Sequence, residues 1–109
     1  MFYLWWEDRL SVRYPAGVSF FNSAYNEYRL KIDAFPNSRY FLRVITVQNG
    51  NTVFRLESFM KDDENNYINR RLIGKGFINP RNNNEIVINS FPFEKRIILV
   101  LKNFNKGEM

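Results

Sequence analysis

Arginine and aromatic side chains are the residues of this chain whose chemistry stands out. Its 16 Lys and Arg outnumber 11 Asp and Glu, giving a net charge of +5, and it contains eleven Phe, six Tyr and two Trp. Positive side chains displace counterions from phosphates, and exposed rings stack on unpaired bases. The composition therefore permits binding to nucleic acid, and its Arg and Tyr content suits an acidic protein surface equally well.

The main candidate site lies on a β-hairpin predicted over residues 39–61. Two alternating runs flank Gln48-Asn49-Gly50, which is a strong hairpin signature. A two-residue Asn49-Gly50 loop would pair even positions with odd ones, whereas a three-residue loop with left-handed Gly50 pairs even with even. We favour the three-residue loop, because its register places mainly apolar side chains on one face of the hairpin. That face comprises Tyr40, Leu42, Val44, Thr46, Phe54, Leu56 and Met60.

The opposite face of this hairpin carries the predicted binding residues Phe41, Arg43, Arg55 and Phe59. The register makes them neighbours, in an arrangement that resembles sheets and OB-type barrels that bind single strands. The competing interpretation places both phenylalanines under a second layer, with the arginines reaching its rim.

A second basic patch is predicted from Arg70, Arg71, Lys75 and Arg81. With the backbone amides that nearby glycines leave accessible, these side chains could hold phosphate or an acidic partner surface. Strict alternation places Arg71 and Lys75 on one face and Arg70 on the other. An ordinary solvated face is the competing interpretation. The strand glycines, Gly74 and Gly76, predict a bulge, a bend or a close backbone approach.

Trp5 and Trp6 form a third candidate, within the apolar start of the chain. Adjacent strand residues point to opposite faces, so one indole is expected in the core and the other outside. An outward Trp beside Phe2 would serve as an interface anchor. The alternative is an N-terminal strand covered on both sides.

Catalytic and metal chemistry find little support in the sequence. The chain has no His and no Cys, which excludes Ser-His and Cys-His couples, imidazole ligands and thiolate zinc sites. Carboxylate chemistry would need residues to converge from distant strands. The acidic segment 61–66 lacks the glycine and distal Glu of an EF-hand, so we interpret it as a solvated turn. We expect no enzyme, no metal and no cofactor.

Short strands must position these candidates. Residues 28–34 alternate apolar with charged side chains and predict a strand, although residues 23–33 also fit one helical stripe. The apolar run 96–101 predicts a central strand buried on both faces. Further strands are predicted at residues 2–6, 11–14, 18–21, 67–79 and 85–91, with a polar turn at 80–84.

These elements predict one all-β domain spanning residues 1–109, with 103–109 as a frayed tail. Seven or eight short strands indicate a small antiparallel barrel or sandwich, and a β-rich α+β fold with one short helix is the alternative. No apolar run reaches the roughly 18 to 20 residues that span a bilayer, and the start is not a secretory signal. We expect a cytoplasmic protein with no membrane partner.

Three classes of binding function remain. A nucleic-acid-binding domain, for a single strand or RNA, is favoured. The alternative is a small phage or mobile-element protein that inhibits or adapts a host protein, in keeping with many residues encoded by A/T-rich codons. A self-assembling subunit would pair an edge strand such as residues 2–6 with a second copy. A contiguous basic face with exposed rings favours nucleic acid, whereas scattered charge around an apolar patch favours a protein partner.

Overall fold

The fold is a closed antiparallel β-barrel, seen in a computed structural model that describes residues 1–46, 50, 52–61, 64, 67–90 and 95–101. The described residues form eight strands and no helix. The strands are β1 (Phe2–Glu7), β2 (Arg13–Asn22), β3 (Glu27–Ile32), β4 (Arg39–Thr46), β5 (Thr52–Lys61), β6 (Tyr67–Asn79), β7 (Asn82–Ser90) and β8 (Arg96–Val100).

Each strand pairs with the next along the chain, and β1 pairs with β8 to close the barrel. The predicted small all-β barrel is therefore confirmed, and the sandwich and the α+β alternative are wrong. The tail 103–109 lies outside the described residues.

Strand β3 confirms the period-two interpretation of this region. Leu30 and Ile32 are buried in the barrel core, whereas Arg29 and Lys31 between them are exposed. The helical alternative for residues 23–33 is wrong, because it would move Leu30 off the apolar stripe.

The hairpin of β4 and β5 has the predicted even-with-even register. Leu42 pairs with Leu56 and Val44 with Phe54, and Gly50 has a φ of 82°. The remaining turn residues, 47–49 and 51, lie outside the described residues.

Strand β2 corrects the prediction of two separate strands at residues 11–14 and 18–21. It runs unbroken through Pro15, because the strand contains a β-bulge. Leu4 pairs with Gly17 and Trp5 with Pro15, so Ala16 is the extra residue of the bulge. Proline is tolerated in a strand at such a bulge. Gly17 has a φ of 153°, and a Cβ there would overlap the backbone carbonyl of Lys31 on β3. Glycine is therefore required where β2 passes β3.

The turn between β6 and β7 is tighter than the predicted polar turn at 80–84. Only Pro80 and Arg81 separate the strands, and Asn79 pairs with Asn82. Asparagine side chains stabilise this turn: the Asn79 Oδ1 accepts from the Arg81 amide at 3.0 Å, and the Asn82 Oδ1 accepts from the Asn84 amide at 3.1 Å.

The barrel interior is filled by alternate residues of all eight strands. One cross-strand row runs from Trp6 through Ile97, Ile88 and Gly76 to Phe54. A Cβ on Gly76 would lie 3.2 Å from the Phe54 Cβ, so the glycine makes room for a large neighbour, and the predicted close approach is confirmed. Strand β8 is buried on both faces as predicted, since Ile97, Ile98 and Leu99 have at most 1% exposure.

We expect Gly17→Ala to lower the free energy of unfolding by about 2–4 kcal/mol, because the new methyl group meets fixed backbone at a strained φ. Urea unfolding monitored by circular dichroism measures the change. The matched control is Gly50→Ala, which also has positive φ but meets no atom within 4 Å, so its cost is about 1 kcal/mol. Equal losses in the two variants would contradict the close approach of β2 and β3.

Candidate functional site

The predicted binding residues lie on the outside of the barrel, on a surface we call the β3–β5 outer face. Its residues are Glu27, Arg29, Lys31, Arg39, Phe41, Arg43, Arg55, Glu57 and Phe59. Arg43 pairs directly with Arg55, and the same row continues from Arg55 to Lys75 on β6. All five cations of the face are exposed. Antiparallel pairing of three adjacent strands therefore brings them into one basic surface.

Two carboxylates lie beneath these cations. Glu27 pairs with Arg43 in the strand register, and Glu57 lies 4.0 Å from the Nε of Arg55. Glu27 is only 5% exposed and Glu57 only 4%. Like charges directly opposite each other destabilise a sheet, so the buried carboxylates offset repulsion between the two arginines. Solvent consequently meets mainly the positive groups.

Phe41 and Phe59 contact each other on this face, edge to face, with ring centroids 4.9 Å apart. The described strands form a single closed barrel and provide no second sheet over these rings. Phe41 is nevertheless only 8% exposed, and Phe59 is half-buried. Phe41 therefore supports the face from below and does not present a free stacking surface.

A groove of about 630 Å³ adjoins this surface, and we call it the β3 groove. Its lining includes Phe20 from β2, Arg29 and Lys31 from β3, Phe35 from the β3–β4 connection, and Arg39 and Phe41 from β4. Phe20 is 40% exposed and Phe35 is 38% exposed. The Lys31 Nζ lies 5.4 Å from the centroid of the Phe20 ring. The accessible rings of the basic surface are therefore in this groove.

Sequence analysis missed Phe20 and Phe35. A signal for Phe20 exists, because the short connection 23–26 makes β2 and β3 a hairpin in which Asn22 pairs with Glu27. That register places Phe20 beside Arg29, and Arg29 in turn beside Phe41. Phe35 has no comparable signal, since it lies in a connection without strand alternation.

The second basic patch does not form one surface. Lys75 extends the row of Arg43 and Arg55, whereas Arg81 lies in the β6–β7 turn. Arg71 and Lys75 do not share a face as predicted, because a bulge shifts the register between Leu56 and Glu57 and pairs Arg71 with Ser58. The Arg70 side chain is outside the described part of the structure.

An ion-pair cluster around Arg13 was also missed. The guanidinium donates to both carboxylate oxygens of Glu85 on β7, at 2.7 and 2.8 Å, and its Nε donates to Glu7 on β1 at 2.9 Å. Asn79 donates to Glu85 at 3.2 Å. The Arg13 hydrogen bonds lower the pKa of Glu85 below its ordinary value, and the same contacts raise the pKa of Arg13. Sequence spacing gives no signal for it, because 72 residues separate Arg13 from Glu85.

A second groove, of about 680 Å³, adjoins this cluster. Phe77 and Val87 contribute apolar lining, and Arg81 and Arg96 contribute exposed charge. Val53 pairs with Phe77, and both are exposed. This part of the barrel therefore combines an apolar surface with two cations.

The tryptophans divide between the two faces of β1 as predicted. Trp6 packs against the core, and Trp5 pairs with Ile98 on the outside. Phe2 also packs against the core, so it does not lie beside the outward Trp. Strand β1 has β2 on one side and β8 on the other, which leaves residues 2–6 no open edge for adding a strand from a second copy.

Neither a metal-binding cluster nor a membrane-spanning helix is present among the described residues. They contain no group of three or more acidic side chains that could hold a metal ion, and most of the acidic segment 61–66 lies outside them. None of them forms a helix long and apolar enough to cross a membrane.

Comparison with known proteins identifies no relative: no family model matches the chain, and no similar curated protein or solved structure is found.

We expect Glu85→Gln to lower the free energy of unfolding by about 1–3 kcal/mol at pH 7, because it removes a charged acceptor from Arg13. A carboxylate with a lowered pKa stabilises the fold above its unfolded pKa, near the ordinary value of 4.5, and loses this effect as pH falls through the lower, folded pKa. The difference from the parent protein should therefore shrink below about pH 4.5.

Urea unfolding at several pH values tests this expectation. Asp33→Asn is the matched control, since it removes one exposed carboxylate and should cost little at any pH. A difference for Glu85→Gln that stays constant with pH would contradict the ion pair.

Proposed function

We propose that this domain binds single-stranded nucleic acid, DNA or RNA, without catalysis, through the β3–β5 outer face. The observation that carries the proposal is the continuity of five exposed cations with two exposed rings at the β3 groove. A contiguous basic surface with accessible rings is the arrangement that favours nucleic acid over a protein partner.

The cations supply the phosphate contacts. Arg43 and Arg55 are opposite each other, and Lys75 follows in the next strand, so positive groups are spaced across three neighbouring strands. Neighbouring strands lie about 4.8 Å apart, so these three positive groups can contact adjacent phosphates of one chain. Binding of this type releases counterions and is strongly salt-dependent.

The exposed rings favour a single strand over a duplex. Phe20 and Phe35 present 40% and 38% of their surface in a concave groove, where an unpaired base can reach them. In a duplex the faces of the bases are stacked on each other, and only their edges are accessible. A duplex would therefore contact the cations alone.

The expectation that the domain is not an enzyme rests on its composition. The chain lacks His and Cys. Glu85, whose pKa is lowered, forms a structural ion pair with Arg13 and accepts a further hydrogen bond from Asn79.

Binding to a host protein is the second candidate, and the second groove favours it. Phe77 and Val53 form an exposed apolar pair, with Arg81 and Arg96 nearby. Apolar anchors next to arginines are typical of protein interfaces. Oligonucleotide binding that is absent at low salt would favour this alternative, and Phe77→Ser would then be expected to abolish capture of the partner.

We expect the double variant Arg43→Gln/Arg55→Gln to weaken binding to a single-stranded oligonucleotide and to flatten its salt dependence. Loss of two phosphate contacts should reduce the slope of log K against log salt by about 1.4, since each contact to a single strand contributes about 0.7. Fluorescence anisotropy titrations between 50 and about 200 mM salt measure both quantities.

The matched control is Arg81→Gln/Arg96→Gln, which removes the same charge from the second groove. It should leave the slope nearly unchanged. If the Arg43/Arg55 variant folds normally and keeps the affinity and the slope of the parent protein, the β3–β5 outer face is not the binding site.

A further inference from the structure

The β3 groove has the dimensions of a site for a small organic group. Its volume of about 630 Å³ falls in the range of roughly 300–1,000 Å³ that small-molecule sites occupy. Side chains from β2, β3, β4 and the β3–β4 connection line it. It is therefore large enough for a nucleobase with its sugar and phosphate, and too small for a duplex.

The lining is complementary to an anion that carries a flat ring. Arg29, Lys31 and Arg39 are exposed cations of the groove, and Asp33 is the one carboxylate among its described lining residues. Exposed aromatic surface is supplied by Phe20 and Phe35. A nucleotide presents both matching groups, because its phosphate pairs with the cations and its base stacks on a ring.

Lys31 and Phe20 already make the contact that such a base would replace. The ammonium lies 5.4 Å from the ring centroid, which is within cation–π distance. An exposed cation–π contact favours the closed contact over the open one by about 2- to 5-fold. One stacked base increases the binding constant by about 5- to 150-fold. A base therefore displaces the ammonium from the ring at a small cost, and the released Lys31 can pair with the phosphate.

We infer that the β3 groove is the base-binding subsite of the domain, in which a base stacks on Phe20 in place of the Lys31 ammonium. This inference rests on the proposed nucleic-acid function and deepens it. On this inference, base-dependent binding belongs to Phe20 in the groove. Base-independent phosphate binding belongs to the cations, both those of the groove and Arg43 and Arg55.

The test compares two fluorescent probes, an oligouridylate and an abasic oligonucleotide of the same length and phosphate number. The parent protein should bind the base-containing probe about 5- to 150-fold more tightly, the contribution of one stacked base. Phe20→Leu should remove this preference and leave the affinity for the abasic probe unchanged. Phe20→Tyr retains a ring and should keep the preference.

Phe21→Leu is the matched control. Phe21 has the same 40% exposure, but its ring packs at 4.7 Å on Tyr28 and does not line the groove. The preference should survive this substitution. Lys31→Gln should also keep the preference while reducing the salt slope by about 0.7, the contribution of one phosphate contact.

The outcomes distinguish the two ideas. If the parent protein binds neither probe, the proposed function and the inference both fail. If it binds both probes equally, or if folded Phe20→Leu protein keeps the preference, the groove is not the base subsite, and the proposed function stands on the phosphate contacts. Loss of the preference in Phe21→Leu to the same extent would also overturn the inference.

Discussion

Pairing between β1 and β8 is the constraint on which the rest of this structure depends. It joins the two ends of the described sheet through five residue pairs, from Tyr3 with Val100 to Glu7 with Arg96. Closure gives every strand two neighbours, so the backbone hydrogen bonds of the sheet are satisfied without an open edge. It also fixes an inside and an outside. Each strand must then send alternate residues into one shared core.

The closed barrel explains where polar chemistry can lie. The interior row from Trp6 to Phe54 is so tightly packed at Gly76 that even a Cβ there would lie 3.2 Å from the Phe54 Cβ. Charged groups therefore collect outside, where buried Glu27 and Glu57 lie under exposed arginines. The carboxylates reduce repulsion within the basic surface without removing its positive exterior. The sheet can therefore carry a row of like charges without a large loss of stability.

Local alternation made much of this predictable, and departures from it account for the errors. The period-two pattern of β4 and β5, together with the Gly50 turn, was sufficient for the register that pairs Arg43 with Arg55. The bulge at Ala16 was not foreseen, because a bulge adds one residue without changing the composition of the strand. The register shift beside Glu57 occurs next to Gly74, where a bulge was one of the predicted alternatives. The Arg13–Glu85 pair depends on contact between β2 and β7, which exists only after closure.

The placement of the aromatic rings also depends on how neighbouring strands pair. Phe41 was the obvious stacking residue of the hairpin, yet its ring contacts Phe59 and is almost fully buried. The row of Phe41 continues through Arg29 to Phe20 on β2, and the Phe20 ring is exposed to solvent. On the proposed function, charge and stacking are thus supplied by different strands of one continuous sheet. Arg43 and Arg55 lie in the row next to the one that joins Arg29 to Phe20. A single strand that crosses from the first row to the second would meet phosphate contacts first and a base pocket last.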